Sequence, residues 1–128
     1  MKFSDQIKAL EFPLDQIVVI GSGLLDQLGL RAASDIDLVV APRILKEARE
    51  SGEYDCGTRE ADAYCRKKDI ELWSNWGENW PYERLAATAI VEDGVRFVAP
   101  DILVAKKRER GSEKDLEDVA LLEAYYAN

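Results

Sequence analysis

Two apolar segments around a glycine-rich turn constrain this chain more than any other part of its sequence. The first, 17–20, is a β-branched run that predicts a buried strand, and it leads into the turn at 21–23, Gly-Ser-Gly. After a short amphipathic segment, the second apolar run opens with Asp35 and Asp37. Because residues i and i+2 of a strand point to the same face, these two carboxylates are predicted to project side by side.

Such a pair of carboxylates needs compensation at the edge of a core. Two like charges repel, and partial burial strengthens the repulsion, so either one carboxylate holds a proton or a cation lies between them. Hard oxygen ligands suit Mg²⁺, which also takes oxygens from a substrate phosphate. Glycines let a backbone approach an anion closely, and a helix start aims free N–H groups at it. The alternative interpretation is a solvated aspartate pair at the start of a strand.

The same pattern carries a family resemblance. Gly21-Ser22, a spacer of twelve residues and then Asp35-Ile36-Asp37 between apolar residues resemble the signature of the nucleotidyltransferase superfamily with the DNA polymerase β-like catalytic fold. The resemblance extends over roughly 14–122. It includes a third carboxylate on a later strand and a Lys-Asp-x-x-Asp helix, 114–118, near the C-terminus.

The resemblance implies a site and a reaction. Asp35, Asp37 and a third carboxylate would hold two Mg²⁺ ions, and Gly21 and Ser22 would bind the β- and γ-phosphates of a nucleoside triphosphate. The third carboxylate is assigned to Glu71, which lies between Ile70 and Leu72 on a predicted strand, with Asp69 on the same face as the alternate. The implied reaction transfers a nucleoside monophosphate, AMP from ATP by default, to a hydroxyl group. The family more often has Asp at the third position.

A basic group near the C-terminus has two interpretations. By resemblance, Lys106 and Arg110, with Lys114 nearby, would approach the nucleotide phosphates. Alternatively, these side chains complement a helix C-terminal dipole and pair with Asp115 and Asp118.

An aromatic stretch at 73–82 also has two interpretations, a stacking wall for a nucleobase or acceptor ring, or apolar side chains that fill the core beneath a loop. The second is favoured, because large aromatic side chains are usually buried.

Composition limits the chemistry and the partners. The chain has no histidine, so a Ser-His-Asp triad and His-ligated metals are excluded. Its net charge of −8 argues against a nucleic-acid partner and favours a small-molecule or protein acceptor. No apolar run is long enough for a membrane span, and no signal peptide is recognised, so a cytoplasmic location is expected. Cys56 and Cys65 could be neighbours across a hairpin, but two buried free thiols are expected in that compartment.

These observations together predict one domain over 1–128 with an α/β (α+β) fold, a twisted mixed β-sheet with helices packed on it, like a minimal nucleotidyltransferase core. The predicted function is Mg²⁺-dependent nucleotidyl transfer, as in small antibiotic adenylyltransferases or nucleotidyltransferase components of toxin–antitoxin pairs. The alternative is a catalytically degenerate regulator that binds nucleotide or a partner protein. Because the chain is short, we expect the acceptor site to come from a homo-oligomer, a partner protein or the loops at 73–82.

Overall fold

The fold is known from a computed structural model that describes residues 2–127; the two end residues of the predicted domain lie outside the described part. It is a mixed α+β fold, which confirms the predicted class. The elements, in chain order, are α1 (Phe3–Lys8), a 3₁₀ turn (Leu14–Gln16), β1 (Ile17–Ile20), α2 (Gly23–Gln27), β2 (Ile36–Val40), α3 (Pro42–Ser51), β3 (Asp55–Arg59), β4 (Asp62–Lys67), β5 (Ile70–Trp73), α4 (Tyr82–Thr88), β6 (Ile90–Glu92), β7 (Val95–Phe97), α5 (Pro100–Arg110) and α6 (Glu113–Tyr126).

Seven strands form one twisted sheet in the order β3-β4-β5-β2-β1-β7-β6. Strand β1 pairs antiparallel with β2 and parallel with β7, and β2 pairs parallel with β5. All four residues of β1 are buried, as expected for a central strand covered on both faces. The two hairpins, β3–β4 and β6–β7, lie at the outer edges of the sheet.

The helices cover the sheet with the apolar faces that their sequences predict. Helix α1 buries Phe3 and Ile7, and the surface-lying α3 buries only Ile44, Leu45 and Ala48. Prolines occupy the first turns of α3 and α5, where a missing N–H breaks no hydrogen bond. No helix within residues 2–127 combines the length and the apolar character needed to cross a membrane.

The two cysteines are not free thiols, so that prediction was wrong. Cys56 on β3 and Cys65 on β4 are cross-strand partners with their Cα atoms 4.1 Å apart, and their sulfur atoms form a disulfide bond. The hairpin register brings them together. Only the spacing of the two residues was visible in the sequence, and that spacing allowed either state.

We expect the purified, unreduced protein to contain no reactive thiol after denaturation. Reduction with dithiothreitol should lower the free energy of unfolding by about 2–3 kcal/mol, the amount expected for opening a loop of this size. Thiol titration and melting curves with and without reductant check both points. Two reactive thiols in the unreduced protein would contradict the disulfide.

Candidate functional site

The glycine turn lies directly against one of the two aspartates. Antiparallel pairing of β1 with β2 places Ile20 opposite Asp37, so the turn that follows Ile20 passes over the Asp37 side chain. Gly21 has a φ of +69°, and a Cβ atom there would lie 3.1 Å from Asp37 Oδ2. Backbone conformation and close approach therefore both favour glycine at this position.

The predicted third carboxylate lies beside the same aspartate. Parallel pairing of β2 with β5 makes Glu71 the register partner of Asp37, and both residues line one cavity of about 470 Å³. Trp73 Nε1 donates a hydrogen bond of 3.2 Å to Glu71 Oε1, and Arg66 Nε lies 3.7 Å from Oε2. The Glu71 carboxylate is thus oriented by one neighbour on each oxygen.

Asp37 is the electrostatically perturbed group of the cavity. Burial raises the pKa of Asp37 from 3.8 to about 6, and the negative charges of Glu71 and Asp35 add to that effect. Arg110 and Lys107 oppose the rise without cancelling it. Either a proton or a bound cation would stabilise the Asp37 carboxylate, as the sequence pattern indicated.

Two further predicted site residues, Asp35 and Ser22, lie outside the cavity lining. Asp35 is exposed just before β2, outside the cavity lining, and acts on Asp37 only through its charge. Ser22 is the N-cap of α2, and its hydroxyl oxygen accepts a hydrogen bond of 2.6 Å from Arg31 Nη2. Across residues 2–127, no three His, Cys, Asp or Glu side chains form a group that could hold a metal ion.

The basic residues of α5 divide between the two predicted roles. Lys106 and Arg110 line the cavity with Asp37 and Glu71. Arg110 Nε also lies 3.5 Å from Asp115 Oδ2, a pairing that the alternative interpretation predicted.

The residue between them on the helix, Lys107, is buried and binds Asp118. Its Nζ donates a hydrogen bond of 2.8 Å to Asp118 Oδ2, while Arg31 Nε and Nη2 bind the two Asp118 oxygens at 2.5 and 2.6 Å. Burial alone would raise the pKa of Asp118, but the hydrogen bonds from Arg31 and Lys107 outweigh burial and hold it at about 2. Since Arg31 also binds Ser22, this buried network fixes the position of the glycine turn relative to α5 and α6.

The aromatic stretch contributes to both the core and the cavity. Trp73, Trp76 and Trp80 all pack against the core, and Trp73 and Trp76 also line the cavity. The guanidinium of Arg59, at the end of β3, lies 5.6 Å from the centre of the Trp73 ring and lines the cavity as well. No sequence motif marked Arg59, Arg31 or Lys107, because an arginine or lysine outside a motif carries no local signal of its partners.

The donor set of the cavity suits a hard cation. Asp37 and Glu71 offer carboxylate oxygens on adjacent strands, and burial together with the neighbouring negative charges raises the pKa of Asp37. Mg²⁺ is commonly held by one or two carboxylates together with substrate phosphates and water. The residues present therefore fit Mg²⁺ held by Asp37 and Glu71, with Asp35 adding negative charge from outside the cavity.

Comparison of the chain with known protein families, with curated protein sequences and with solved structures found no match in any of the three.

Proposed function

We propose that this protein is a Mg²⁺-dependent nucleotidyltransferase that transfers a nucleoside monophosphate, AMP from ATP by default, to a hydroxyl group of a small molecule or protein. One observation carries the proposal. The backbone of Gly21, the carboxylates of Asp37 and Glu71 and the side chains of Lys106 and Arg110 all line a single cavity. A close-approach glycine, a carboxylate pair and two cations are the parts that phosphoryl-type transfer needs, since it depends on positioning and charge neutralisation.

Each of these groups has a separate task. Asp37 and Glu71 would hold the metal, and Lys106 and Arg110 would bind phosphate oxygens. The turn at Gly21 would let the phosphates approach the backbone, with the Ser22 hydroxyl held beside it by Arg31. Bound there, Mg²⁺ would neutralise charge on the phosphate oxygens and make the acceptor hydroxyl more acidic. The hydrogen bond from Trp73 Nε1 orients the Glu71 carboxylate, so no histidine is needed to hold it.

In the proposed reaction, a carboxylate accepts the proton of the acceptor hydroxyl. The acceptor oxygen forms a bond to the α-phosphorus while the bond from that phosphorus to the pyrophosphate oxygen breaks. The acceptor proton passes to the Glu71 carboxylate, which the hydrogen bond from Trp73 orients. Pyrophosphate then leaves, and the proton is returned to water.

Two contacts favour a second candidate function, a degenerate protein that binds nucleotide or a partner without transfer. The Ser22 hydroxyl already accepts a hydrogen bond from Arg31, and Arg66 lies near Glu71 Oε2. Both groups are therefore less free for a ligand than the proposed reaction requires. Metal dependence separates the two functions, because chelation abolishes transfer but leaves the affinity for a partner protein unchanged.

We expect the protein to bind ATP only in the presence of Mg²⁺ and to bind tRNA negligibly. The cavity is lined by five carboxylates against three basic side chains, so a polyanion enters favourably only with a cation that inverts the local charge. Titration calorimetry with ATP, with and without Mg²⁺, measures the first point, and a gel shift at near-physiological salt measures the second. Metal-independent ATP binding, or a tight complex with tRNA, would contradict the respective expectation.

A further inference from the structure

Two cations of the cavity lie on tryptophan rings instead of against carboxylates. The Arg59 guanidinium is 5.6 Å from the centre of the Trp73 ring, and Lys106 Nζ is 5.6 Å from the centre of the Trp76 ring. Both cations and both rings line the cavity. Among residues 2–127, neither Arg59 nor Lys106 forms an ion pair, whereas the third basic side chain of the cavity, Arg110, pairs with Asp115.

A cation–π contact holds a basic side chain in position without neutralising its charge. A carboxylate partner would cancel most of the charge that an incoming anion meets, while an aromatic face attracts the cation through its quadrupole and leaves the full charge in place. The Arg59 guanidinium also lies 5.7 Å from the Tyr64 ring, and Tyr64 and Trp73 contact each other across β4 and β5. This platform holds the guanidinium at the end of the β3–β4 hairpin.

The loop that contains Gly77 leaves room for the ammonium group of Lys106. Gly77 has a φ of +82°, and a Cβ atom there would lie 2.7 Å from Lys106 Nζ. The Asp62 carboxylate accepts a hydrogen bond from the Gly77 backbone N–H, which ties this loop to the same hairpin that carries Arg59. A glycine at this position therefore lets the ammonium group approach the loop closely.

We propose that Arg59 and Lys106 form an anion-binding pair in this cavity, and that this pair binds a phosphate group of the ligand. The proposal deepens the function proposed above, on which it rests for the class of ligand. The phosphate belongs either to the triphosphate chain of the nucleotide or to a phosphorylated acceptor. Five carboxylates line the same cavity, so binding at this pair requires Mg²⁺ to compensate Asp37 and Glu71.

The probe is inorganic tripolyphosphate, titrated with Mg²⁺ into the full chain and followed by calorimetry and by tryptophan fluorescence. We expect Arg59→Gln and Lys106→Gln each to weaken binding by about tenfold or more, the effect of losing one charge-assisted contact. Indole emission of the unchanged protein should shift on binding, because the anion changes the charge beside the Trp73 and Trp76 rings. Melting curves show that each variant is folded.

Arg84→Gln is the matched control. Arg84 lies 3.9 Å from the centre of the Trp80 ring but outside the cavity lining, so its removal takes away the same net charge and the same kind of ring contact. The control should bind tripolyphosphate as the unchanged protein does. The proposal is overturned if Arg59→Gln and Lys106→Gln bind normally, if Arg84→Gln loses as much affinity, or if the unchanged protein does not bind.

A parallel titration with Mg²⁺ and ATP identifies the source of the phosphate. Equal weakening for tripolyphosphate and ATP assigns the pair to the triphosphate chain, while weakening for tripolyphosphate alone assigns it to a phosphorylated acceptor; either result supports the pair. Failure of the proposed function is a separate outcome. A protein that binds tripolyphosphate through this pair but transfers no nucleotide would contradict the transferase and leave the binding site standing.

Discussion

Asp37→Asn should abolish nucleotidyl transfer and at the same time make the metal-free protein more stable. Transfer is expected to fall by at least about a thousandfold, because one of the two carboxylates that hold the cation is lost and charge stabilisation by a metal is worth several kcal/mol. Stability should rise because ionised Asp37 is half-buried beside Glu71, and its pKa is raised to about 6 by burial and by neighbouring charge. Removing this charge at pH 7 should add up to about 3 kcal/mol to the free energy of unfolding.

The stability of the metal-free protein should depend on pH through the same pKa shift. The folded protein binds a proton at Asp37 up to about pH 6, whereas the unfolded chain releases it near pH 3.8. Between these values the folded state carries more protons, so the free energy of unfolding falls as pH rises through the window. In EDTA, melting temperatures of the unchanged protein should decline from pH 4 to pH 6 more steeply than those of Asp37→Asn.

Asp69→Asn is the control for this experiment. Asp69 was the alternate third carboxylate, and it is exposed and lies outside the cavity lining. Its substitution should leave both transfer and metal-free stability within experimental error. A clear loss of stability in Asp37→Asn would show that Asp37 is a structural partner, and the metal site would have to be abandoned.

Asp118→Asn should strongly destabilise the folded protein. Asp118 is 1% exposed, and it compensates Lys107, which is 4% exposed, and Arg31. Removing one member of a buried ion pair leaves uncompensated charge and costs about 3–5 kcal/mol. Urea titration should report this loss directly. Because the pKa of Asp118 is held at about 2, the stabilisation is present above pH 3.8 and is lost as pH falls towards 2.

Two further variants test the explanation. Glu123→Gln breaks the exposed pair with Arg108, in which both side chains are more than half exposed, and should cost less than about 1 kcal/mol. The double variant Lys107→Met with Asp118→Leu removes the buried Lys107–Asp118 pair and should be more stable than Asp118→Asn, since apolar groups can replace a buried ion pair with little loss. A double variant less stable than the single one would show that the pair contributes net stability by itself.

Several element boundaries are set by local signals that can be read in the sequence. The β-branched run of β1, the prolines that begin α3 and α5 and the glycines after α3 and α5 each act within a few residues of the chain. The capping box of α6 is equally local, with Ser112 Oγ accepting from the Asp115 N–H at 3.1 Å and Asp115 Oδ2 accepting from the Ser112 N–H at 3.3 Å.

Part of the site was predictable for a similar reason. The alternation in β5 placed Glu71 on a face that excludes Ile70 and Leu72. The i, i+2 spacing predicted Asp35 beside Asp37, but Asp35 lies before β2, exposed and outside the cavity lining. The sequence pattern could not predict that Asp37 lies beside Glu71. This arrangement depends on parallel pairing of strands that are more than thirty residues apart in the chain. Sequence spacing alone left Glu71 and Asp69 as alternatives, and the register decided that Glu71 lies beside Asp37.

Tertiary structure decided which charged groups are paired and which face the cavity. Lys106 and Lys107 are adjacent in sequence, yet one lies on a tryptophan ring and the other is buried against Asp118, because neighbouring helix positions point about 100° apart. The pairing of Cys56 with Cys65 was likewise decided by hairpin register. Local signals in the chain set the helices and strands and the motif that begins the site. Long-range pairing placed Glu71 beside Asp37 and chose the ion-pair partners of the charged side chains. Side chains distant in the chain meet only through the register of strands and the packing of helices.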